Sequence, residues 1–141
     1  MSAPQTTPSL PHVSWFSPLI CAYIDGVNWS THEEFDFASQ VLERIIRVPV
    51  GFVTNFASVP RGGWAILSPT AGPGKNNYGK STAVHDYLYS TPGYCTREEA
   101  DRVLLEALEA EGVDLVIRDA MYEAVRLFGG SHYTAGKASD Q

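Results

Sequence analysis

Apolar and polar residues alternate along the first part of the chain, between Trp15 and about Thr54. In residues 34–37 two phenylalanines alternate with two acidic residues, and in residues 44–52 the apolar side chains Val48, Val50 and Phe52 would share one face. This period of two predicts strands. Pro49 indicates an edge strand or a bulge, because proline cannot donate to a sheet ladder. With a turn at 25–26, we expect a small antiparallel sheet.

The period changes to that of helices in the second part of the chain. The predicted helices are Ser81–Ser90, which ends at Thr91-Pro92-Gly93; Thr96 to about Glu111, which ends at Gly112; and a helix capped by Asp114 that runs to Phe128 and ends at Gly129-Gly130. Thr96 and Glu99 form a capping box, in which each side chain can bond the other residue's backbone amide. Three helices therefore follow the strands.

The third predicted helix has few polar residues. Its polar strip consists of Arg118, Asp119, Glu123 and Arg126, and the other positions are mainly apolar. A helix that is apolar almost all round is usually buried, so we expect this one to be central. Strands followed by helices predict an α+β fold, with a small N-terminal sheet and about three helices.

The length of 141 residues suits one domain, which we place at 13–133. Residues 1–12 hold three prolines and residues 134–141 are small and polar, so we expect a flexible arm and a flexible tail. The arm lacks the basic start and apolar core of a secretory signal. A run long enough to span a membrane is absent from the sequence.

The formal net charge is −6 and the chain has two cysteines. This acidity argues against a dedicated nucleic-acid binder, which would present a basic patch to phosphates. Cys21 and Cys95 are too few for a disulfide framework and too far apart in sequence for a paired metal motif. Composition alone leaves the function open.

Residues Gly74–Ser81 match the phosphate-binding pattern G-x-x-x-x-G-K-S. In that motif a buried strand precedes the loop and a long helix follows it. Here the preceding apolar run, 65–67, is short, and Pro92 ends the following helix after about ten residues. We interpret the segment as a loop that enters a helix, with nucleotide binding as a weaker alternative.

A second constellation consists of His85, Tyr89 and Asp101. His85 and Tyr89 are one helical turn apart, and Asp101 borders the apolar stripe of the next helix. A tight turn between the helices would bring all three together. A histidine held by a carboxylate can activate water. The same spacing also fits a buried hydrogen-bond network without catalysis, and the residues leave both readings open.

Residues 51–61 leave a strand through small and hydroxyl-bearing positions that could line a site. The candidate lining residues are Thr54, Asn55, Ser58 and Arg61, with Arg126 on the third predicted helix as a partner for a carboxylate or an anionic group. Turn residues of these types also commonly serve only their own backbone amides.

Several motifs together resemble a family of small proteins carried by tailed phages and prophages, labelled as a domain of unknown function. They are V-P-x-G-F-x-T-x-F-A-S-V-P-R at 48–61, H-D-Y-L-Y at 85–89, A-D-R at 100–102 and Y-x-A-V-R-x-F-G at 122–129. The family usually has Asp at the position of Asn55. The resemblance implies a protein of the virion, at the tail or baseplate, or of the infected cytoplasm, whose partners are other virion proteins.

The pair H-D-x-x-Y and a distant Asp is also similar to the site of secreted phospholipases A2. Carried over, that likeness implies His85 as the base that activates water, Asp86 as a calcium ligand, Tyr89 as a support and Asp101 as the residue that orients the histidine. The disulfides of that class are missing. From the two resemblances together, we expect a hydrolase-type site that acts on a host-envelope lipid or cell-wall bond. The alternative is a non-catalytic tail or baseplate adaptor.

Overall fold

The computed structural model describes residues 14–26, 28–54, 78–91 and 93–133. The described strands are β1 (Trp15–Phe16), β2 (Cys21–Asp25), β3 (Asn28–Thr31), β4 (Phe35–Ser39), β5 (Arg44–Val48) and β6 (Val53–Thr54); the helices are α1 (Gly79–Ser90), α2 (Arg97–Ala110) and α3 (Leu115–Phe128), followed by a 3₁₀ helix at Gly129–His132. Strands precede helices, which confirms the α+β prediction. The predicted arm and tail lie outside the described residues.

The strands form two small antiparallel sheets instead of the single one expected. One has the order β1-β4-β5 and the other β2-β3-β6. The predicted turn connects β2 and β3, where Gly26 has a φ of +51°. Strand β5 is at the end of its sheet's order and stops immediately before Pro49, in agreement with the edge position that proline indicated.

The alternation in β4 places its aromatic residues in the core. Phe35 pairs with Val48 and Phe37 with Ile46 in the register of β4 and β5, and all four side chains are buried. They pack in one cluster with apolar residues of α1 and α2, including Val84 and Leu88. The sheet β1-β4-β5 therefore supports the helices that carry the candidate site.

Helix α2 is the central helix. It begins at the predicted capping box, where Thr96 Oγ1 accepts from the amide of Glu99 at 3.1 Å and Glu99 Oε1 accepts from the amide of Thr96 at 2.9 Å. Val103 on one side belongs to the cluster with α1 and the sheet, whereas Leu104 and Leu108 belong to the cluster with α3. Helix α2 thus separates α1 from α3.

The prediction that the last helix is central is wrong. In α3 only Met121 and Val125 are buried, while Val116 is 79% exposed and Leu127 71% exposed. The inner face of α3 packs on α2. Apolar side chains on the outer face of α3 are exposed to solvent. The sequence shows that most positions of α3 are apolar, but tertiary packing decides which of them are buried against α2. No described helix is long and apolar enough to cross a membrane.

Candidate functional site

Helices α1 and α2 contribute the central side chains of the candidate site. His85 and Tyr89 are one turn apart on α1, and Asp101 lies on the second turn of α2. His85 and Asp101 have no exposed surface, and Tyr89 has 1%. The packing of α1 on α2 therefore buries three polar side chains in one place, where each must find partners.

The three side chains form the network that their spacing predicted. His85 Nε2 is 2.8 Å from Asp101 Oδ1, and the hydroxyl of Tyr89 donates to the same oxygen at 2.5 Å. The rings of His85 and Tyr89 also contact each other, with centroids 4.1 Å apart. One carboxylate oxygen thus receives two donors from α1.

The other carboxylate oxygen faces arginines. Arg126 Nη1 from α3 donates to Asp101 Oδ2 at 2.6 Å, so the predicted carboxylate partner of Arg126 is Asp101. Arg97 Nε is 3.8 Å from the same oxygen and 3.4 Å from the Tyr89 hydroxyl. Asp101 therefore connects all three helices.

Arg97 is a residue that the sequence analysis missed. Its Nη2 donates to the carbonyls of Val125 and Arg126, both at 2.7 Å. It thereby satisfies carbonyls in the last turn of α3. The spacing of four residues between Arg97 and Asp101 is the sequence signal that indicates this ion pair.

The surroundings of Asp101 and Tyr89 shift the pKa values of these two groups in opposite directions. Burial alone would raise the pKa of Asp101, but hydrogen bonds from His85, Tyr89 and Arg126 outweigh it and lower the pKa below the ordinary carboxyl value. Burial, with the hydrogen bond to Asp101, raises the pKa of Tyr89. At neutral pH Asp101 is therefore an anion and Tyr89 a neutral donor.

The ionised Asp101 assigns the proton on the His85 ring. A carboxylate only accepts, so Nε2 must carry a hydrogen. In the neutral ring Nδ1 then holds a lone pair. Nδ1 is buried and has no hydrogen-bond partner among the described residues. The arrangement is a buried ring nitrogen without a hydrogen-bond partner among the described residues, on a ring whose opposite side is bonded to an anion.

Two of the other predicted site residues, Thr54 and Asp86, are described by the structure. Thr54 is buried at the end of β6, and Asp86 is half-buried on α1 beside His85. Asn55, Ser58 and Arg61 lie outside the described residues. Within the described ranges no group of three or more His, Cys, Asp or Glu could hold a metal ion, so there Asp86 would need backbone and amide oxygens as co-ligands for calcium.

The start of α1 bears on the nucleotide alternative. Residues 74–77 lie outside the described residues, but the end of the motif is described. Glu111 Oε1 accepts from the amide and the hydroxyl of Ser81, at 2.8 and 2.5 Å, and Oε2 accepts from the amide of Lys80 at 3.3 Å. A carboxylate thus occupies donors that a phosphate would use, which favours the interpretation as a loop entering a helix.

Comparison with known families identifies the chain. A family described as protein of unknown function (DUF1353) matches residues 29–125, more than two thirds of the chain. The protein belongs to this family. The match begins within β3 and covers β4 to β6, His85, Tyr89 and Asp101. No curated protein and no solved structure matches the chain.

Proposed function

We propose that this protein is a phage or prophage accessory protein, of the tail or baseplate, with a hydrolase-type site that cleaves an ester or amide of the host envelope. One observation supports the chemistry above all. His85 is bonded through Nε2 to a buried carboxylate, and its Nδ1 has no partner among the described residues. This is the arrangement of a general base with its orienting acid.

The proposed reaction uses His85 as a proton carrier. Nδ1 takes a proton from water while the water oxygen bonds to the carbonyl carbon of the substrate. The imidazolium then returns the proton to the leaving oxygen or nitrogen as its bond to carbon breaks, so that an acid and an alcohol or amine result. Asp101 stabilises the imidazolium, as a carboxylate does in a catalytic triad, and Tyr89 with Arg126 holds Asp101 in place.

Because the site is buried, water and substrate need a route to His85. The His85 ring has no exposed surface, so packing around Nδ1 must open to admit water and an acyl group. Exclusion of bulk water strengthens each charge interaction in the closed state. We therefore expect turnover to depend on this opening.

Calcium is part of the proposal through Asp86. The residues fit in type, since Asp86 offers a carboxylate one position from the proposed base, and calcium accepts carboxylate and carbonyl oxygens. When bound, calcium would supply a positive charge that polarises the substrate carbonyl. EGTA should then abolish turnover, and Asp86→Asn should raise the calcium concentration needed. Turnover that is insensitive to EGTA would remove calcium from the proposal.

The phage assignment rests on the order and number of motifs shared with phage and prophage proteins. The expected partners are other virion proteins and the host lipid or cell wall, and the expected location is the virion or the infected cytoplasm. Mass spectrometry of purified particles tests this directly. Detection at a constant copy number per particle supports a virion protein, whereas exclusion from particles limits it to the infected cell.

A structural adaptor is the second candidate, and the burial of the network favours it. Asp101 accepts from side chains of α1 and α3 while lying on α2, so the network can also serve to lock three helices together. In that case the envelope substrates are not cleaved, and substitutions in the network affect only stability and assembly.

The deciding experiment compares the wild type with His85→Gln. The glutamine amide can donate to Asp101 in place of Nε2 but offers no basic nitrogen. Both proteins are assayed on a short-chain aryl ester, phospholipid vesicles and purified peptidoglycan, and melting temperatures verify folding. His32→Gln is the matched control, since His32 is exposed and outside the network.

The hydrolase proposal predicts that the wild type and His32→Gln cleave at least one substrate and that folded His85→Gln does not. The adaptor proposal predicts that none of the three proteins cleaves any of them. Equal cleavage by His85→Gln and the wild type would contradict the assignment of His85 as the base.

A further inference from the structure

Gly129 has an ordinary backbone conformation, although it ends a helix. Its φ is −78° and its ψ −10°, in the right-handed region that every residue adopts readily. Gly93 and Gly112, by contrast, have φ values of +79° and +85°, where a side chain is strained. Gly129 follows the last apolar positions of α3, so the sequence predicts it as the stop of the helix, but the backbone there does not require glycine.

The surroundings of Gly129 do require it. A Cβ added at this position would lie 2.9 Å from the hydroxyl oxygen of Tyr89, and 3.5 and 3.6 Å from ring atoms Cε2 and Cζ. The first distance is too short for a carbon and an oxygen in van der Waals contact, whereas the other two are ordinary. The conflict is therefore limited to the Tyr89 hydroxyl.

Tyr89 cannot move aside without loss. Its hydroxyl donates to Asp101 Oδ1, and its ring lies between His85, at a centroid distance of 4.1 Å, and Tyr133, at 5.3 Å. Tyr133 is in turn fixed by a hydrogen bond from its hydroxyl to the carbonyl of Cys95. A side chain at position 129 would displace the hydroxyl from the oxygen it shares with His85.

We propose that Gly129 is a positioning residue of the His85–Asp101 site. Its missing side chain makes the space in which the Tyr89 hydroxyl bonds Asp101 Oδ1, the oxygen that also accepts from His85 Nε2. The turn after α3 thereby controls how Asp101 holds His85. The catalytic meaning of this control rests on the proposed function; the coupling itself does not.

Two variants should each remove the hydrogen bond from the Tyr89 hydroxyl to Asp101 Oδ1. Gly129→Ala pushes the hydroxyl off Asp101, and Tyr89→Phe removes the hydroxyl. In both variants, His85 Nε2 no longer shares Asp101 Oδ1 with the Tyr89 hydroxyl. We expect the hydrogen bond from Nε2 to strengthen and the resonance of the Nε2–H proton to move downfield. In the double variant the alanine meets only ring carbons at ordinary distances. The alanine should therefore have no further effect once the hydroxyl is gone.

Gly130→Ala is the matched control in the same turn. A Cβ at Gly130 would lie 3.4 Å from Nη1 of Arg97, which is the end of a flexible, partly exposed side chain that can yield by a few tenths of an ångström. The control introduces the same alanine one residue away. It should leave the His85 resonances at their wild-type positions.

The test is a double-mutant cycle read by the NMR resonance of the His85 Nε2–H proton and by melting temperature. The His85 signals are assigned by their loss in His85→Gln. Gly129→Ala should lower the melting temperature by roughly 5–10 °C, as overpacking of a buried site does in a domain of this size. In the Tyr89→Phe background the same substitution should lower it by less than about 2 °C.

Each outcome decides the coupling independently of hydrolysis. Matching downfield shifts in both single variants, with no additional change in the double variant, support it. Unchanged His85 signals in Gly129→Ala, or additive effects in the double variant, overturn it. If Gly129→Ala does not fold, recovery of folding by Tyr89→Phe supports the proposal and failure to recover overturns it. Where an active substrate is found, kcat should change alike in Gly129→Ala and Tyr89→Phe, with KM unchanged. Absence of activity together with this coupling would reject only the proposed function.

Discussion

At the scale of single residues, Asp101 determines the character of the site. A fully buried carboxylate is costly unless donors satisfy both oxygens. Here Oδ1 accepts from His85 and Tyr89, and Oδ2 accepts from Arg126. The three donors come from two other helices, so the charge of Asp101 is stabilised only when α1 and α3 both pack on α2.

Asp101→Asn should therefore destabilise the fold by about 3 kcal/mol, since removing one partner of a buried charge pair costs that order of free energy. The asparagine leaves Arg126 without its anion and gives one acceptor where the carboxylate offered two. Urea denaturation measures the free energy of unfolding. Asp119→Asn, at an exposed position of α3, is the control and should change it by less than about 0.5 kcal/mol. Equal effects of the two substitutions would contradict the assignment of Asp101 as the centre of the network.

The residues of the network differ in how far the sequence predicts them. His85 and Tyr89 are identifiable from local spacing, because a helix places residues i and i+4 on one face. Asp101 needed one further assumption, a tight turn between two helices. The contact of Glu111 with the start of α1 was not predictable, because residues 30 positions apart meet only through tertiary packing. Asn55, Ser58 and Arg61 remain predictions.

At the scale of elements, the position of α2 between α1 and α3 organises the molecule. Its two apolar sides belong to two different clusters. The predictable parts were those with a local cause, such as the capping box at Thr96 and Glu99. Asp114 does occupy the N-cap of α3, but within the described residues its carboxylate accepts no capping hydrogen bond from a backbone amide. The division of the six described strands into two sheets depends on pairing between distant residues, which local alternation does not encode.

Two valines of α3 test its peripheral position. Val125 is fully buried and Val116 is 79% exposed. Val125→Ala should cost about 2 kcal/mol, since it removes two buried methyl groups and leaves a cavity. Val116→Ala should change the free energy of unfolding by less than about 0.5 kcal/mol. The pair is matched in helix and in chemistry. A larger cost at Val116 than at Val125 would mean that the outer face of α3 is the buried one.

At the scale of the whole molecule, the contributions of Asp101 and Glu111 to the stability of the fold change with pH in opposite directions. Hydrogen bonds hold the pKa of Asp101 below the ordinary value against the effect of burial. Burial raises the pKa of Glu111, although Ser81 and Lys80 partly offset it. Asp101 therefore contributes stability that is lost as pH falls through its lowered pKa. Glu111 contributes stability that is lost as pH rises through its raised pKa.

The pH dependence of unfolding should separate these two contributions. The stability advantage of the wild type over Asp101→Asn should grow as pH rises toward and above the ordinary pKa of an aspartate, about 4. The free energy of unfolding of the wild type, relative to that of Glu111→Gln, should instead fall as pH rises above about 4.5. Urea denaturation of the three proteins across pH 3–7 measures both trends, in steps of about one unit. Trends of the same sign would contradict one of the two assignments.

Membership in a family of unknown function was predictable at this scale, and the family match over residues 29–125 confirms it, whereas the phage association stays a prediction. The chemistry of the site was predictable only as a pair of alternatives, since a hydrolase and a structural network use the same His, Asp and Tyr contacts. What distinguishes them is the use of Nδ1 of His85, and no spacing in the sequence reports on that atom.

The ratio of turnover between the wild type and His85→Gln on phospholipid vesicles or peptidoglycan tests the proposed function most directly. General base catalysis contributes typically about 10²–10⁴-fold. We therefore predict a ratio of about 100 or more on at least one of these substrates, with both proteins folded. A ratio near one on a substrate that the wild type cleaves, or no cleavage of any envelope substrate by the wild type, would contradict the account.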